Sequence, residues 1–343
     1  MNDTLSLHFA RPPAHIIQFP LIHHTPILRP AIAERSWNRP FNIPTQVYDY
    51  PLHIAFPIIF ASSYVLIISY LNSINRKRSH KPWRLSQTRP FQYLVLLHNI
   101  GLSVFSAWTF CGLLSLLYTS LPSLQQESYL VHAAAKLCHV EGRFVLHTSS
   151  GIDTTVTMKW DNAYDHNDYD EGLWQKGLGY FCWAMYISKY YEVMDTVILI
   201  LKGKESTFLQ TYHHSGVMID NVANHRGSVF LQYLYYALQT LKIPVPMRLK
   251  RTLTAVQIAQ FSIGYILSLC YLFIAYDSPH ARISTGRDDV LNDELRHTVV
   301  PCLHTPGHLA VLLLGGLYLG PLIYLFVRFF VRSYLSAAKG KMD

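Results

Sequence analysis

Five stretches of this chain are apolar for roughly the 20 residues that a helix needs to cross a bilayer, and no other feature restricts the fold as much. They cover residues 52–71, 91–118, 177–201, 253–276 and 308–331. In hydrocarbon the backbone must satisfy its own N–H and C=O groups, so such runs become helices. Composition agrees: only 15% of residues are charged, where a soluble domain carries about 25%. The 23 tyrosines suit helix ends at lipid headgroups. The expected fold is all-α, a polytopic membrane helix bundle over residues 51–335. A loose tail (1–50) precedes it, broken by Pro12, Pro13, Pro20, Pro26, Pro30, Pro40 and Pro44 and lacking the apolar core of a cleavable signal. A short C-terminal tail (336–343) follows.

The net charge of +8 does not point to nucleic acid, because the basic residues gather at the ends of the apolar runs. Residues 75–89 hold Arg76, Lys77, Arg78, Lys81, Arg84 and Arg89 and no acid; residues 242–251 hold Lys242, Arg248, Lys250 and Arg251 and no acid. With Arg328, Arg332, Lys339 and Lys341 at the C-terminal end, these patches belong in the cytosol. Residues 122–172 carry eight acids against Lys136, Arg143 and Lys159, and residues 277–300 also lean acidic, so both belong on the far side. Alternation then requires two crossings between Lys204 and Lys242, about seven spans in all, with the N-terminus on the far side. Residues 205–241 are fewer than the roughly 40 plus a turn that two crossings take. Asp220, Asn221, Asn224, His225 and Arg226 shorten the apolar runs further. A foreshortened pair of helices, near 207–222 and 228–241, is expected there. The five cysteines, Cys111, Cys138, Cys182, Cys270 and Cys302, form no CxxC pair, and their odd number argues against a disulfide framework or a zinc site.

Two clusters carry possible chemistry. Lys189, Glu192 and Thr196 share a helical face, with Asp195 close by. Each ionisable group inside a membrane costs roughly 2.5–3.5 kcal/mol, so the functional reading is the polar wall of a buried site. The bland reading is a Lys–Glu pair that anchors the helix at the headgroups. After a short basic loop with Lys202 and Lys204, Gln210, His213 and His214 share a face at i, i+3 and i+4. Adjacent imidazoles can serve as nucleophile, base or metal ligand.

The order of these residues resembles the fatty-acid elongase family. Lys189, Glu192, Asp195 and Thr196 match its K-x-x-E-x-x-D-T, and Gln210, His213 and His214 match its H-x-x-H-H. Tyr233-Leu234-Tyr235-Tyr236 is similar to its M-Y-x-Y-Y, and Thr254, Gln257, Gln260 and Phe261 to its T-x-x-Q-x-x-Q-F. The resemblance runs from about Pro51 to the C-terminus. It departs at Gln210, a variant associated with fungal-looking members, which can hydrogen-bond but cannot take a proton or an acyl group. The family's N-x-x-x-H stands two residues before M-Y-x-Y-Y, whereas six residues separate His225 from Gln232 here. The family's second active-site histidine is therefore expected to be missing.

The resemblance implies a 3-oxoacyl-CoA synthase of the endoplasmic reticulum membrane. It would join a long-chain acyl-CoA to malonyl-CoA and release CoA and carbon dioxide, with no bound cofactor and no metal. His213 or His214 would take the acyl group, with Gln210 beside them and Glu192 and Asp195 orienting the imidazoles. Lys189, Tyr235, Tyr236, Gln257 and Gln260 would support the site. Lys202, Lys204, Arg248, Lys250 and Arg251 would meet the CoA phosphates, against the plainer reading of ordinary positive-inside charge. Spans two to seven would enclose a cavity, with span one outside. Expected partners are the two thioesters, membrane lipid and other enzymes of the elongation cycle. Lys339 and Lys341 fit a cytosolic dilysine retrieval signal. Gln210 and the absent histidine favour an alternative, an impaired paralogue acting as a scaffold. A more distant alternative is a di-iron desaturase or hydroxylase. His304 and His308 have box-like spacing, but Pro306 and Gly307 argue against a helix there.

Overall fold

The computed structural model describes residues 6–17, 29–30, 32–126, 128–140, 143–147, 153–158, 172–219, 246–277, 281–283, 299–303 and 306–336. Its α-helices are α1 (Thr45–Leu52), α2 (Ala55–Lys77), α3 (Arg89–Ser120), α4 (Tyr129–Cys138), α5 (Gly179–Tyr191), α6 (Val193–Leu201), α7 (Phe208–Ile219), α8 (Met247–Tyr271) and α9 (Pro306–Phe330). The expected membrane helix bundle is there. Among the described residues, α2, α3, α8 and the helix beginning at Pro306 are long and apolar enough to cross a membrane. Their exposed faces carry Leu66, Leu97, Ile263 and Leu317, side chains that suit lipid.

The remaining apolar run, 177–201, is not one helix. Gly177 has φ 142°, a backbone region that glycine alone enters freely, and α5 begins just after it. The helix breaks again at Glu192, where the Asp195 amide turns back to the Glu192 carbonyl at 3.0 Å, an i to i+3 bond. The start of the 205–241 stretch is α7, 12 residues long, or about 18 Å at 1.5 Å per residue. Residues 220–245, which include His225, Tyr235 and Tyr236, lie outside the described residues. The seven-span count and the foreshortened pair therefore stay expectations. The dilysine pair and His304 also lie outside them.

The chain divides into two compact units. The first comprises residues 1–42, 113–181 and 266–313. It contains two three-stranded sheets that an all-α expectation omits. One has the order β1 (Leu7–Phe9), β4 (Ile274–Asp277), β6 (Val299–Pro301); the other β2 (Arg143–His147), β3 (Asp153–Met158), β5 (Ala281–Ile283). All pairs are antiparallel. β2, β3 and β5 lie in the stretches assigned by charge to the far side of the membrane, whereas β1 lies in the N-terminal tail, β4 in the end of the 253–276 run and β6 across residue 300; alternation over three to six residues leaves little periodic signal.

Two expectations are corrected in this unit. The tail is not loose over residues 6–17. Leu7 pairs with Tyr276 and Phe9 with Ile274, His8 bonds Asp277 at 2.7 Å, and Ile16 is fully buried against Leu303 and Leu309. The cysteines do form a bridge, Cys138–Cys302, with Cα atoms 4.7 Å apart across 164 residues of sequence. No short spacing could announce it, because the two cysteines meet in a buried cluster that joins Val131 and Ala135 of α4 to Tyr276 and Val300. The Tyr271 hydroxyl shares its one proton between the carbonyls of Cys138 and Cys302, at 3.0 and 3.1 Å.

The second unit comprises residues 43–112, 182–265 and 314–343 and holds α2, α6, α7 and most of α3, α5, α8 and α9. Tyr64 and Ile68 of α2 bury against Ile200 of α6. At the basic end of α2, Asn75 is fully buried. Its amide donates to the Ile200 carbonyl at 2.8 Å, and its oxygen accepts from Trp83 Nε1 at 2.8 Å. Gly203, at φ 78°, sits so close to the His80 carbonyl that a Cβ would overlap it. The loops 78–88 and 202–206 are thereby clamped together. A second apolar group joins Phe261 of α8 to Leu319 and Leu322 of α9, with Tyr212 and Leu209 of α7 packed against it.

Candidate active site

Every described side chain of the candidate site lies in the second unit. The break at Glu192 places two carboxylates near the middle of the 177–201 run. Glu192 is 5% exposed. Its Oε1 accepts from Lys189 Nζ at 2.7 Å and from the Ser188 hydroxyl at 3.2 Å. A buried pair of this kind is costly to assemble and costlier to break, since removing one partner strands the other charge. Asp195 is held separately. Its Oδ1 lies 2.8 Å from His98 Nε2, and His98 Nδ1 lies 3.1 Å from the Tyr191 hydroxyl. The His98 and Asp195 side chains are only 7% and 18% exposed.

One turn into α7, Gln210 points at α6. Its Nε2 donates to the Thr196 hydroxyl at 3.1 Å. Thr196 is fully buried and shares a second bond, 3.0 Å, with the Tyr64 hydroxyl of α2. His214 follows on the same flank. It is buried, its ring meets Tyr64 edge-on at 6.1 Å, and its Nδ1 has no hydrogen-bond partner among the described residues. Lys189, Glu192 and Asp195 are within electrostatic reach of its ring. His213 is one residue, about 100° of helix, away and faces α9. Its Nδ1 is 3.2 Å from the Tyr318 hydroxyl, and its ring approaches Phe326 edge-on at 6.5 Å.

The polar face of α7 is thus shared between α2 and α6 on one flank and α9 on the other. The two imidazoles are 5.5 Å apart, centroid to centroid. Such a pair, with a lysine, two carboxylates and hydroxyls around it, can take and release an acyl group or a proton inside a low-dielectric wall. Among the described residues, no group of three or more His, Cys, Asp and Glu side chains is placed to hold a metal ion.

The other predicted residues fall as follows. Gln257 and Gln260 lie on α8, half-buried. Lys202 and Lys204 are exposed at the end of α6, on the loop clamped to 78–88. Arg248 and Arg251 are exposed and Lys250 half-buried in the first turn of α8, with Arg251 over the Phe330 ring at 5.8 Å. Three cations at a helix N-terminus oppose the helix dipole. Sequence reading missed His98, Tyr64 and Tyr318. His98 had a usable signal, an ionisable side chain seven residues into an apolar span. Tyr64 and Tyr318 had none, since tyrosine is common in such helices.

Comparison with known proteins gives the same direction as these residues. The GNS1/SUR4 (ELO) family matches residues 51–342. "Long chain fatty acid elongase 2" of Caenorhabditis elegans is 28% identical over 201 residues, 54% of this chain and 62% of that protein. "Long chain fatty acid elongase 1" of the same organism is 34% identical over 100 residues, 25% of this chain and 35% of that protein. "Fatty acid elongase 2" of Trypanosoma brucei brucei is 26% identical over 182 residues, 49% of this chain and 60% of that protein. The chain thus covers less than two thirds of each of these relatives. No solved structure matches the chain.

Proposed function

Because the chain belongs to the GNS1/SUR4 (ELO) family, we propose that it carries out the condensing step of fatty-acid elongation. A long-chain acyl-CoA and malonyl-CoA would give a 3-oxoacyl-CoA, CoA and carbon dioxide. The observation that carries this reading is the pairing of His213 and His214 on α7 beside the buried Lys189–Glu192 and His98–Asp195 pairs. Charge placed this deep in a helix bundle costs stability and is kept where chemistry uses it.

His213 attacks the thioester carbonyl, CoA thiolate leaves, and an acyl-imidazole results. Malonyl-CoA then loses carbon dioxide, and its enolate attacks the acyl carbon and frees the imidazole. His214 and Gln210 polarise and place the reacting groups; Lys189, Glu192 and Asp195 set the field around them. Tyr235, Tyr236, Gln257 and Gln260 support the site from the later helices. Lys202, Lys204, Arg248, Lys250 and Arg251 receive CoA phosphates at the cytosolic mouth. The enzyme resides in the endoplasmic reticulum membrane with its C-terminus in the cytosol. Both cysteines of the bridge and the docked tail then lie in the lumen, the compartment where disulfides persist.

Gln210 supports a second reading, an impaired paralogue that scaffolds the elongation cycle, because its amide is engaged in holding Thr196. A microsomal assay with labelled malonyl-CoA separates the two. Condensation that is lost in His213→Ala, at equal protein level, supports the enzyme. No condensation by the wild type across acyl lengths supports the scaffold.

A further inference from the structure

Tyr318 makes two contacts with one residue. Its hydroxyl donates to the His213 backbone carbonyl at 3.2 Å and lies 3.2 Å from His213 Nδ1. A phenol has one proton. If that proton goes to the carbonyl, the Nδ1 contact is a full hydrogen bond only when Nδ1 carries a proton of its own and donates it. The imidazole is then the Nδ1–H tautomer, and its lone pair sits on Nε2.

The surroundings are built to hold the phenol in place. Gly216 on α7 leaves the space the Tyr318 ring fills; a Cβ there would overlap ring carbons. Tyr212 stacks on the ring at 5.7 Å with a 25° tilt, and its hydroxyl donates to the Tyr318 carbonyl at 3.1 Å. Leu322, one turn along α9, is fully buried, so the helix itself is fixed.

We propose that Tyr318 is a positioning residue that holds His213 as the Nδ1–H tautomer, so that Nε2 is the nitrogen that takes the acyl group. This rests on the reading of His213 as acyl acceptor. A hydrogen bond to the far nitrogen is the general way proteins choose which imidazole nitrogen reacts. Here a neutral phenol takes that part, while Asp195 is engaged with His98.

The test uses the full-length protein in lipid nanodiscs with 15N-labelled histidine rings. Long-range 1H–15N spectra distinguish protonated from bare ring nitrogens, and the difference from His213→Ala assigns His213. The expected result is a protonated Nδ1 and a bare Nε2. In Tyr318→Phe, which keeps the ring, this tautomer should lose its dominance. Condensation turnover should fall about 10- to 100-fold with KM for acyl-CoA unchanged. Gly216→Ala, which displaces the hydroxyl without removing it, should do the same. A protonated Nε2 in the wild type overturns the proposal, as does a Tyr318→Phe spectrum and turnover equal to wild type. Wild-type turnover in His213→Ala removes the acceptor reading instead, while the spectra still decide what Tyr318 does to the ring.

Discussion

At the scale of single residues, the site is organised by hydrogen bonds that leave each buried charge with a dedicated partner. Lys189 and Ser188 hold Glu192, and His98 holds Asp195. His98 comes from α3, far from either sequence motif. His98→Ala removes the 2.8 Å bond to a largely buried carboxylate. Leaving such a group poorly satisfied costs about 1–3 kcal/mol. The variant should therefore unfold at lower temperature in detergent and lose elongation activity. His98→Phe, which refills the space without the bond, should fail to restore either. Wild-type thermal stability in both variants would show that the pair is incidental.

At the scale of elements, what was legible in the sequence divides cleanly by physics. The apolar runs that became α2, α3, α8 and α9 were readable because hydrocarbon length and backbone satisfaction leave few alternatives. Their ends drifted: residues 274–277 form β4 rather than the close of a span. Helical spacing made two groupings readable within their own segments, Lys189 with Glu192 and Gln210 with His214; that the segments meet at Thr196 was not readable from it. Nor was the division of His213 and His214 between two flanks, because it depends on which neighbours α7 acquires. Non-local pairings were invisible: the β1–β4 ladder, the Cys138–Cys302 bridge, and the clamp around Asn75 each join residues that no spacing connects. Removing the bridge with Cys138→Ser should lower stability by about 2–4 kcal/mol. A non-reducing gel after blocking free thiols would show the wild-type bridge directly, and an unchanged migration on reduction would argue against it. The docked tail has its own signature. Burial alone would raise the Asp277 carboxyl, but bonds from the Ser6 amide, His8 and the Ser6 hydroxyl outweigh it and hold the group below its ordinary value of 3.8. Such a group stabilises the docked strand above the ordinary carboxylate range and loses that effect as pH falls through its lowered value. Protection of the amides of residues 7–9, taken relative to the intrinsic exchange rate at each pH, should therefore be high at neutral pH and lost in strong acid. Asp277→Asn should lose that protection at neutral pH, and protection kept in that variant would exclude the carboxylate as the cause.

At the scale of the whole molecule, three observations bear on orientation. The basic patches fall at one set of helix ends, the acidic stretches contain β2, β3 and β5, and the bridge joins Cys138, in the first of those stretches, to Cys302, two residues past the second. Glycosylation acceptor sites engineered into residues 122–127 and near residue 4 should both be modified, and a site in residues 79–83 should not. Modification of the last alone would invert the topology and move the cations proposed to receive CoA to the wrong side. Condensation by this chain through His213 is the proposed activity. Its most direct measurement is single-turnover condensation by purified full-length protein in nanodiscs, with labelled malonyl-CoA and a series of long-chain acyl-CoAs. The wild type should give labelled 3-oxoacyl-CoA and one equivalent of carbon dioxide, and an equally folded His213→Ala neither. Product from that variant at the wild-type rate, or none from the wild type at any chain length, would contradict the proposed activity.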